Sequence, residues 1–438
     1  MPTLHKCNVE VSLLLGAVLQ NIVLKYLQTC AMDTYWLVTN KQVKAIIFTI
    51  VFFTLTNIAV ADTMKQVFEQ AWLNSTQGRT AKARLDEVTA SKNVAGALFP
   101  GSPKLELSNL NDVLVRNRGE LETNIGVSVP LWLPGQKAAR LGVADSEVKE
   151  NQLSLLAARL AVAGELRISV WAVYLAKSES EILEQRLVTA EKLENDVAKR
   201  LKVGDVARTD LLLAKQETVN AHIAIADAKS RLISNMQRYK VLTHSENLPD
   251  NPQEAVVTIN DASLHPLLAE GQANSELAQA QLKLAQESLR DAPTVGVLYR
   301  NQRDGSNASS RDTLGLALTI PFASDVRNAP LLAKANTALV EANARNQRVM
   351  AEIEANKRDA DAQLESAQTN AQFSAEREQV ASERLSLMLR SYQLGETSLV
   401  ELIRTQSQAT EARIELARSN VLLFASQANI NQARGLTP

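Results

Sequence analysis

Apolar residues recur along this chain with two different periods, and prolines mark where one gives way to the other. After Ala335, the positions Leu339, Ala342, Val349, Ile353, Ala360, Leu364, Ala367 and Ala371 follow at steps of three, four or seven, the spacing of a coiled-coil seam. Residues 331–394 contain neither glycine nor proline. About sixty helical residues rising ~1.5 Å each predict a rod roughly 90–100 Å long. Residues 135–248 are a second proline-free stretch and read as helix for the same reason. Many seam positions are alanine, which lets neighbouring helices lie close together.

Between the proline clusters the period drops to two. "GELETNIGVSVPLW" sets Leu121, Thr123, Ile125, Val127 and Val129 on one face and Glu122, Asn124, Gly126 and Ser128 on the other. "DTLGLALTIPF" sets Leu314, Leu316, Leu318 and Ile320 against Thr313, Gly315, Ala317 and Thr319. Runs of about ten alternating residues ending near Trp132 or Phe322 fit transmembrane β-strands with interfacial aromatics. "PKLELSNL" and "PTVGVLYRNQR" are the expected partner strands, joined through "NRGE" and "RDGSNASSRD". Alternation alone fits a half-buried strand of a soluble sandwich at least as well. The long rod after each strand pair is what favours a membrane.

The pattern occurs twice. "RLKVGDVARTDLLLA" and "SYQLGETSLVELI" place Gly204 and Gly395 inside helical sequence 191 residues apart, and Asp210 and Glu401 repeat the interval. Each half reads as helix, strand, strand, long helix, glycine turn, helix. The first repeat is expected over 62–248, with strands near 103–110 and 120–132. A linker covers 249–261, and the second repeat covers 262–438, with strands near 294–303 and 312–322. The expected fold is therefore mainly α with a small transmembrane β part, in a duplicated helix-strand-strand-long helix-helix unit.

Composition changes this picture little. A formal charge of -1 suggests no nucleic-acid partner, and aromatics at 4% with few glycines and prolines suit long helices. Lys41 and Lys44 precede an apolar run at 45–53, and Ala59 and Ala61 precede Asp62, so residues 1–61 read as a cleaved leader. A start at Met32 would place residues 1–31 outside the natural product. Both cysteines, Cys7 and Cys30, fall within that leader. The remaining histidines, His222, His244 and His265, lack metal-ligand spacing, and no nucleophile elbow, phosphate loop or dinucleotide fingerprint occurs. No enzyme activity, cofactor or metal is expected.

Over the chain from residue 62, the two glycine stretches and the "VSVPLWLPGQKAAR" strand-to-helix junction resemble the TolC family of outer-membrane efflux and secretion channels. The resemblance implies a homotrimer in the Gram-negative outer membrane. Each subunit would give four strands to a twelve-stranded β-barrel, continued by an α-barrel tube into the periplasm. It implies a passive conduit in a tripartite efflux or type I secretion system, with a periplasmic adapter, an inner-membrane pump and outer-membrane lipid as partners.

On that resemblance Arg200, Val203, Gly204, Asp205, Leu394, Gly395 and Glu396 form adapter-docking tips, and Asp210, Tyr392, Thr397, Glu401 and Arg404 form a periplasmic gate. Tyr392 matches a gate tyrosine, Asp210 a linking aspartate and Glu401 a ring aspartate. Thr397 and Arg404 depart from the best-known member, standing where an arginine and a second acidic ring would be. Glu401 and Arg404 could then pair between subunits instead. The junction also resembles the heavy-metal branch, so metal ions or small toxic molecules are the cargo it suggests. A periplasmic adapter or a secreted structural coiled coil are the alternatives. The first would need one hairpin flanked by β-rich halves, and the second leaves the strand pairs unexplained.

Overall fold

The computed structural model describes residues 63–257 and 265–438. The expected leader and the last residues of the expected linker lie outside these described residues. In chain order the elements are α1 (Met64–Asn74), α2 (Thr76–Ala95), β1 (Lys104–Asn111), β2 (Glu120–Pro130), α3 (Gln136–Lys202) and α4 (Arg208–Thr243). There follow α5 (Pro266–Glu287), β3 (Thr294–Asp304), β4 (Arg311–Thr319), α6 (Asp325–Gln393) and α7 (Leu399–Ala433). The long helices α3 and α6 hold 67 and 69 residues, so each runs about 100 Å.

Three local expectations are corrected by the backbone. The first half carries two helices before its strands, because Ser75 is extended and its hydroxyl accepts the Gly78 N–H at 3.0 Å, ending α1 and capping α2. Helix α6 begins before Pro330 and continues through it. The proline lies early in the helix, where its missing N–H removes a single backbone bond. The strands also stop short of the aromatics. β2 ends at Pro130 and β4 at Thr319, two residues before Pro321, since proline has no N–H for the ladder. Trp132 instead donates its indole N–H to the Ala97 carbonyl at 3.1 Å.

The four strands form one antiparallel sheet in the order β1-β2-β3-β4, so the β2–β3 pairing joins the two halves. Register sorts the side chains into faces, because directly paired residues point the same way. One face carries the rows Leu105–Val127–Val297–Leu316 and Leu107–Ile125–Tyr299–Leu314, and Val129 with Val295 and Leu318. The other carries Ser108–Asn124–Arg300–Thr313, beside Glu122 and Gln302. Most of the apolar rows are exposed to solvent in the single chain.

The helices pack along narrow seams. In α6 the buried positions Ile353, Ala360, Ala367 and Ser374 keep a strict heptad spacing, and the Ser374 hydroxyl lies 2.9 Å from that of Ser419 on α7. Helix α1 docks through Val67, Phe68, Ala71 and Trp72 against Val162, Leu166 and Val170 of α3 and Tyr239 of α4. Arg159 lies over the rings of Phe68 and Trp72, at 5.0 and 5.2 Å, and pairs with Glu69.

The segment after α4 is stitched to the helical body. Arg167 of α3 grips the Glu254 carboxylate with Nε at 2.8 Å and Nη2 at 2.6 Å, and its Nη1 donates to Gln432 Oε1 and the Leu436 carbonyl. Both charged side chains are buried, 5% and 10% exposed. Asn431 adds bonds to Glu254, the Ala255 carbonyl and the Val257 N–H. Arg167→Ala, by leaving Glu254 buried and unpaired, is expected to lower stability by about 3–5 kcal/mol. The double change Arg167→Met with Glu254→Leu is expected to cost far less. Thermal unfolding of both variants checks this, and equal losses would contradict it.

His265, buried at the α5 N-terminus, accepts the Leu267 N–H on Nδ1 at 3.3 Å. Burial, with Lys357 nearby, pushes its imidazole below the usual range, against a hydrogen bond that the ring donates to the Ala433 backbone carbonyl and that favours the charged form. The unfolded chain takes up a proton near pH 6.5 and the folded one only at lower pH. Stability is thus full above that value and lost as pH falls towards the folded pKa. His265→Asn, which keeps a capping side chain, is expected to flatten this pH dependence in chemical denaturation.

Candidate functional site: two glycine turns at the helix ends

The ends of α3 and α6 close with the same backbone device. Gly204 donates to Leu201 O at 3.0 Å and Asp205 to Arg200 O at 2.9 Å. Gly395 donates to Tyr392 O at 3.2 Å and Glu396 to Ser391 O at 2.9 Å. Both are Schellman motifs, in which the residue after the helix turns left-handed and satisfies the last carbonyls. Gly204 has φ +80° and Gly395 φ +79°, and a Cβ built on either meets nothing within 4 Å. The requirement for glycine is therefore conformational and owes nothing to crowding. Each glycine is preceded by an exposed apolar residue, Val203 at 80% and Leu394 at 67% exposed.

Side chains link the two turns. Arg200 Nε donates to Asp205 Oδ2 at 2.6 Å, and the guanidinium lies 5.3 Å from the centre of the Tyr392 ring on α6. The bond to Asp205 raises the guanidinium's pKa further, so the charge over the ring is permanent. Beneath them Leu193, Val197, Ala214, Leu399 and Leu402 form a buried cluster on which Tyr392 packs.

The other expected gate residues stay apart. Asp210 sits in the first turn of α4, where its carboxylate accepts the Ala207 N–H at 3.2 Å. Glu401 in the first turn of α7 and Arg404 one turn on approach only to 4.0 Å, with both side chains largely solvated. Exposed pairs of this kind contribute about 0–1 kcal/mol. Thr397 precedes the α7 N-cap Ser398, whose hydroxyl accepts the Glu401 N–H at 3.4 Å.

Two features were out of reach of the sequence reading. The Arg200–Tyr392 contact joins residues from different repeats, and no local pattern announces it. Glu179, buried on α3, accepts from Arg231 of α4 at 3.5 Å and Arg418 of α7 at 3.1 Å, tying three helices at one carboxylate. On the polar face of the sheet, Arg300 Nε lies 3.0 Å from Asn124 Oδ1 and 3.2 Å from Glu122 Oε1. Among the described residues, no helix is long and apolar enough to cross a membrane, and no group of three or more histidine, cysteine or acidic side chains is placed to hold a metal ion.

Solved structures with the same arrangement settle the architecture. The Campylobacter jejuni CmeC outer membrane channel matches 85% of this chain and 85% of its own, with a TM-score of 0.69 and 15% identity. The outer membrane protein VceC of Vibrio cholerae matches 85% of this chain and 96% of its own at 0.68 and 16%. CusC, described as forming a transmembrane channel, matches 86% and 93% at 0.70 and 17%.

The chain has the fold of the TolC-like outer-membrane channels.

No family model matches the sequence. Among curated proteins, the cobalt-zinc-cadmium resistance protein CzcC of Cupriavidus metallidurans is 22% identical over 208 residues, 45% of this chain. The match spans about half the length of that protein, 49%.

Within this channel fold, replacing either turn glycine by alanine forces a left-handed backbone on a residue with a Cβ, at about 1–2 kcal/mol. Gly204→Ala and Gly395→Ala are expected to lower amide-exchange protection of Asp205 and Glu396 respectively by about tenfold, with the far ends of the rods unchanged.

Proposed function

We propose that the chain is one subunit of an outer-membrane efflux channel, a passive conduit that crosses the outer membrane through its strands and the periplasm through its helices. The observation that carries this reading is the sheet. Its apolar rows face one way and its polar rows the other, and each strand pair continues into a rod of about 100 Å. A soluble two-layer domain has no use for that combination. A channel needs lipid outside, water inside and length to reach an inner-membrane machine. On this reading three copies pair β1 of one with β4 of the next, closing a twelve-stranded barrel, while their helices close the tube.

The glycine turns then lie at the periplasmic end. Val203 and Leu394 offer apolar contacts there to the tip of an adapter protein, and an inner-membrane pump supplies the energy. Arg200, Asp205, Asp210, Tyr392, Thr397, Glu401 and Arg404 hold the end closed until docking parts the hairpins. The partial likeness to CzcC supports metal ions as the cargo class, ahead of small toxic molecules.

Reconstitution into planar lipid bilayers tests this. The purified protein is expected to insert with discrete, low-conductance events, and Glu401→Ala with Arg404→Ala is expected to raise the residual conductance. Failure to insert would overturn the channel reading. Insertion with no effect of the double change would remove only the ion-pair role at the gate.

A further inference from the structure

The β1–β2 loop, residues 112–119, holds three consecutive apolar side chains out in solvent. Val113, Leu114 and Val115 are 60%, 97% and 83% exposed. The loop is built rather than loose. The Asp112 carboxylate accepts backbone N–H groups of Arg118 at 2.6 Å, Gly119 at 3.1 Å and Glu120 at 3.0 Å. The Asp112 carbonyl accepts from Val115, Arg116 and Asn117, and Ser306 of the neighbouring hairpin donates twice to the Arg118 carbonyl. With so many bonds closing the loop, the apolar triplet is displayed rather than transiently exposed.

Charge is sorted around it. Arg116 and Arg118 follow the triplet, and Arg303 stands beside Leu121 in register, on the same face as the apolar rows. None of these three arginines has an ion pair among the described residues, and Arg303 Nε is buried with no hydrogen-bond partner. The acids of this end are otherwise engaged or face away. Asp112 is enclosed by backbone donors, and Asp312 accepts from the Tyr299 hydroxyl at 2.8 Å and Asn301 at 2.6 Å. Glu120 and Asp304 pair in register on the opposite, polar face.

We propose that this end of the sheet is a docking site for a phosphorylated lipid of the outer leaflet. Val113, Leu114 and Val115 enter the boundary between headgroups and acyl chains, and Arg116, Arg118 and Arg303 hold the headgroup phosphates. The inference rests on the channel reading, which puts this loop at the outer membrane surface. Apolar side chains at the interface beside arginines that meet anionic headgroups are the pattern of membrane-anchoring segments. Paired charge assistance with phosphate favours arginine over any neutral donor.

The test is native mass spectrometry of the full chain purified in neutral detergent, titrated with a diphosphorylated glycolipid, with phosphatidylcholine, or with inorganic phosphate. Wild type is expected to bind the diphosphorylated lipid about tenfold more tightly than phosphatidylcholine, with millimolar phosphate failing to compete. Arg116→Gln with Arg118→Gln is expected to erase that preference, and Leu114→Ser to weaken both lipids while the oligomer persists. Equal binding of the two lipids by wild type, competition by free phosphate, or an unchanged double variant would overturn the proposal. So would loss of the oligomer in Leu114→Ser, since the triplet would then pack against a second copy. Failure of the channel reading itself would show separately, as a wild-type protein that stays in solution without detergent.

Discussion

A backbone that reaches the edge of a sheet must find hydrogen-bond partners or water, and in a membrane water is absent. On the proposed reading, that constraint organises this molecule. Strands β1 and β4 are the two edges of a four-stranded sheet whose one face is apolar. Alone in lipid, the sheet would leave two rows of N–H and C=O groups unpaired. On the proposed reading, further copies of the chain pair those edges, and every other feature follows from that closure. On the same reading the long helices α3 and α6, with alanine at many of their buried positions, form the wall of the tube.

Duplication supplies the second half of the design. The two repeats solve the problem of turning back with the same hydrogen bonds and the same positive φ at Gly204 and Gly395. They differ in the side chains around the turns. The first repeat bears the extra helix break at Ser75 and the arginine that reaches to the other repeat's tyrosine. The second bears the hydroxyl cap at Ser398, where the first has Ala207. Two near-equal hairpins thus end in unlike chemistry.

The fold class was legible because it depends on local period. Seam positions such as Ile353, Ala360 and Ala367 announce a rod, and the Val127–Val129 alternation announces a strand, without any knowledge of neighbours. The turn glycines were legible because only a left-handed residue explains glycine inside so strong a helical pattern. Boundaries set by a single hydrogen bond were not, as at Ser75, nor was the tolerance of Pro330 early in its helix. Long-range polar contacts were also hidden. Arg167 with Glu254 and Arg200 with Tyr392 join distant segments, and a charged residue in a helical run looks the same whether it is solvated or clamped. The gate residues expected from the resemblance are a different case. Within one chain Asp210, Glu401 and Arg404 make local contacts, and any role across copies lies in an assembly.

The most direct test of the account is the mass of the detergent-extracted assembly, measured by native mass spectrometry with the detergent then removed. The account predicts a trimer that persists in detergent and aggregates or reinserts into lipid without it, because closing the sheet leaves its apolar face outward. A monomer or dimer that remains soluble after detergent removal would contradict it, since the apolar rows would then be covered within a soluble protein and the strands would not cross a membrane.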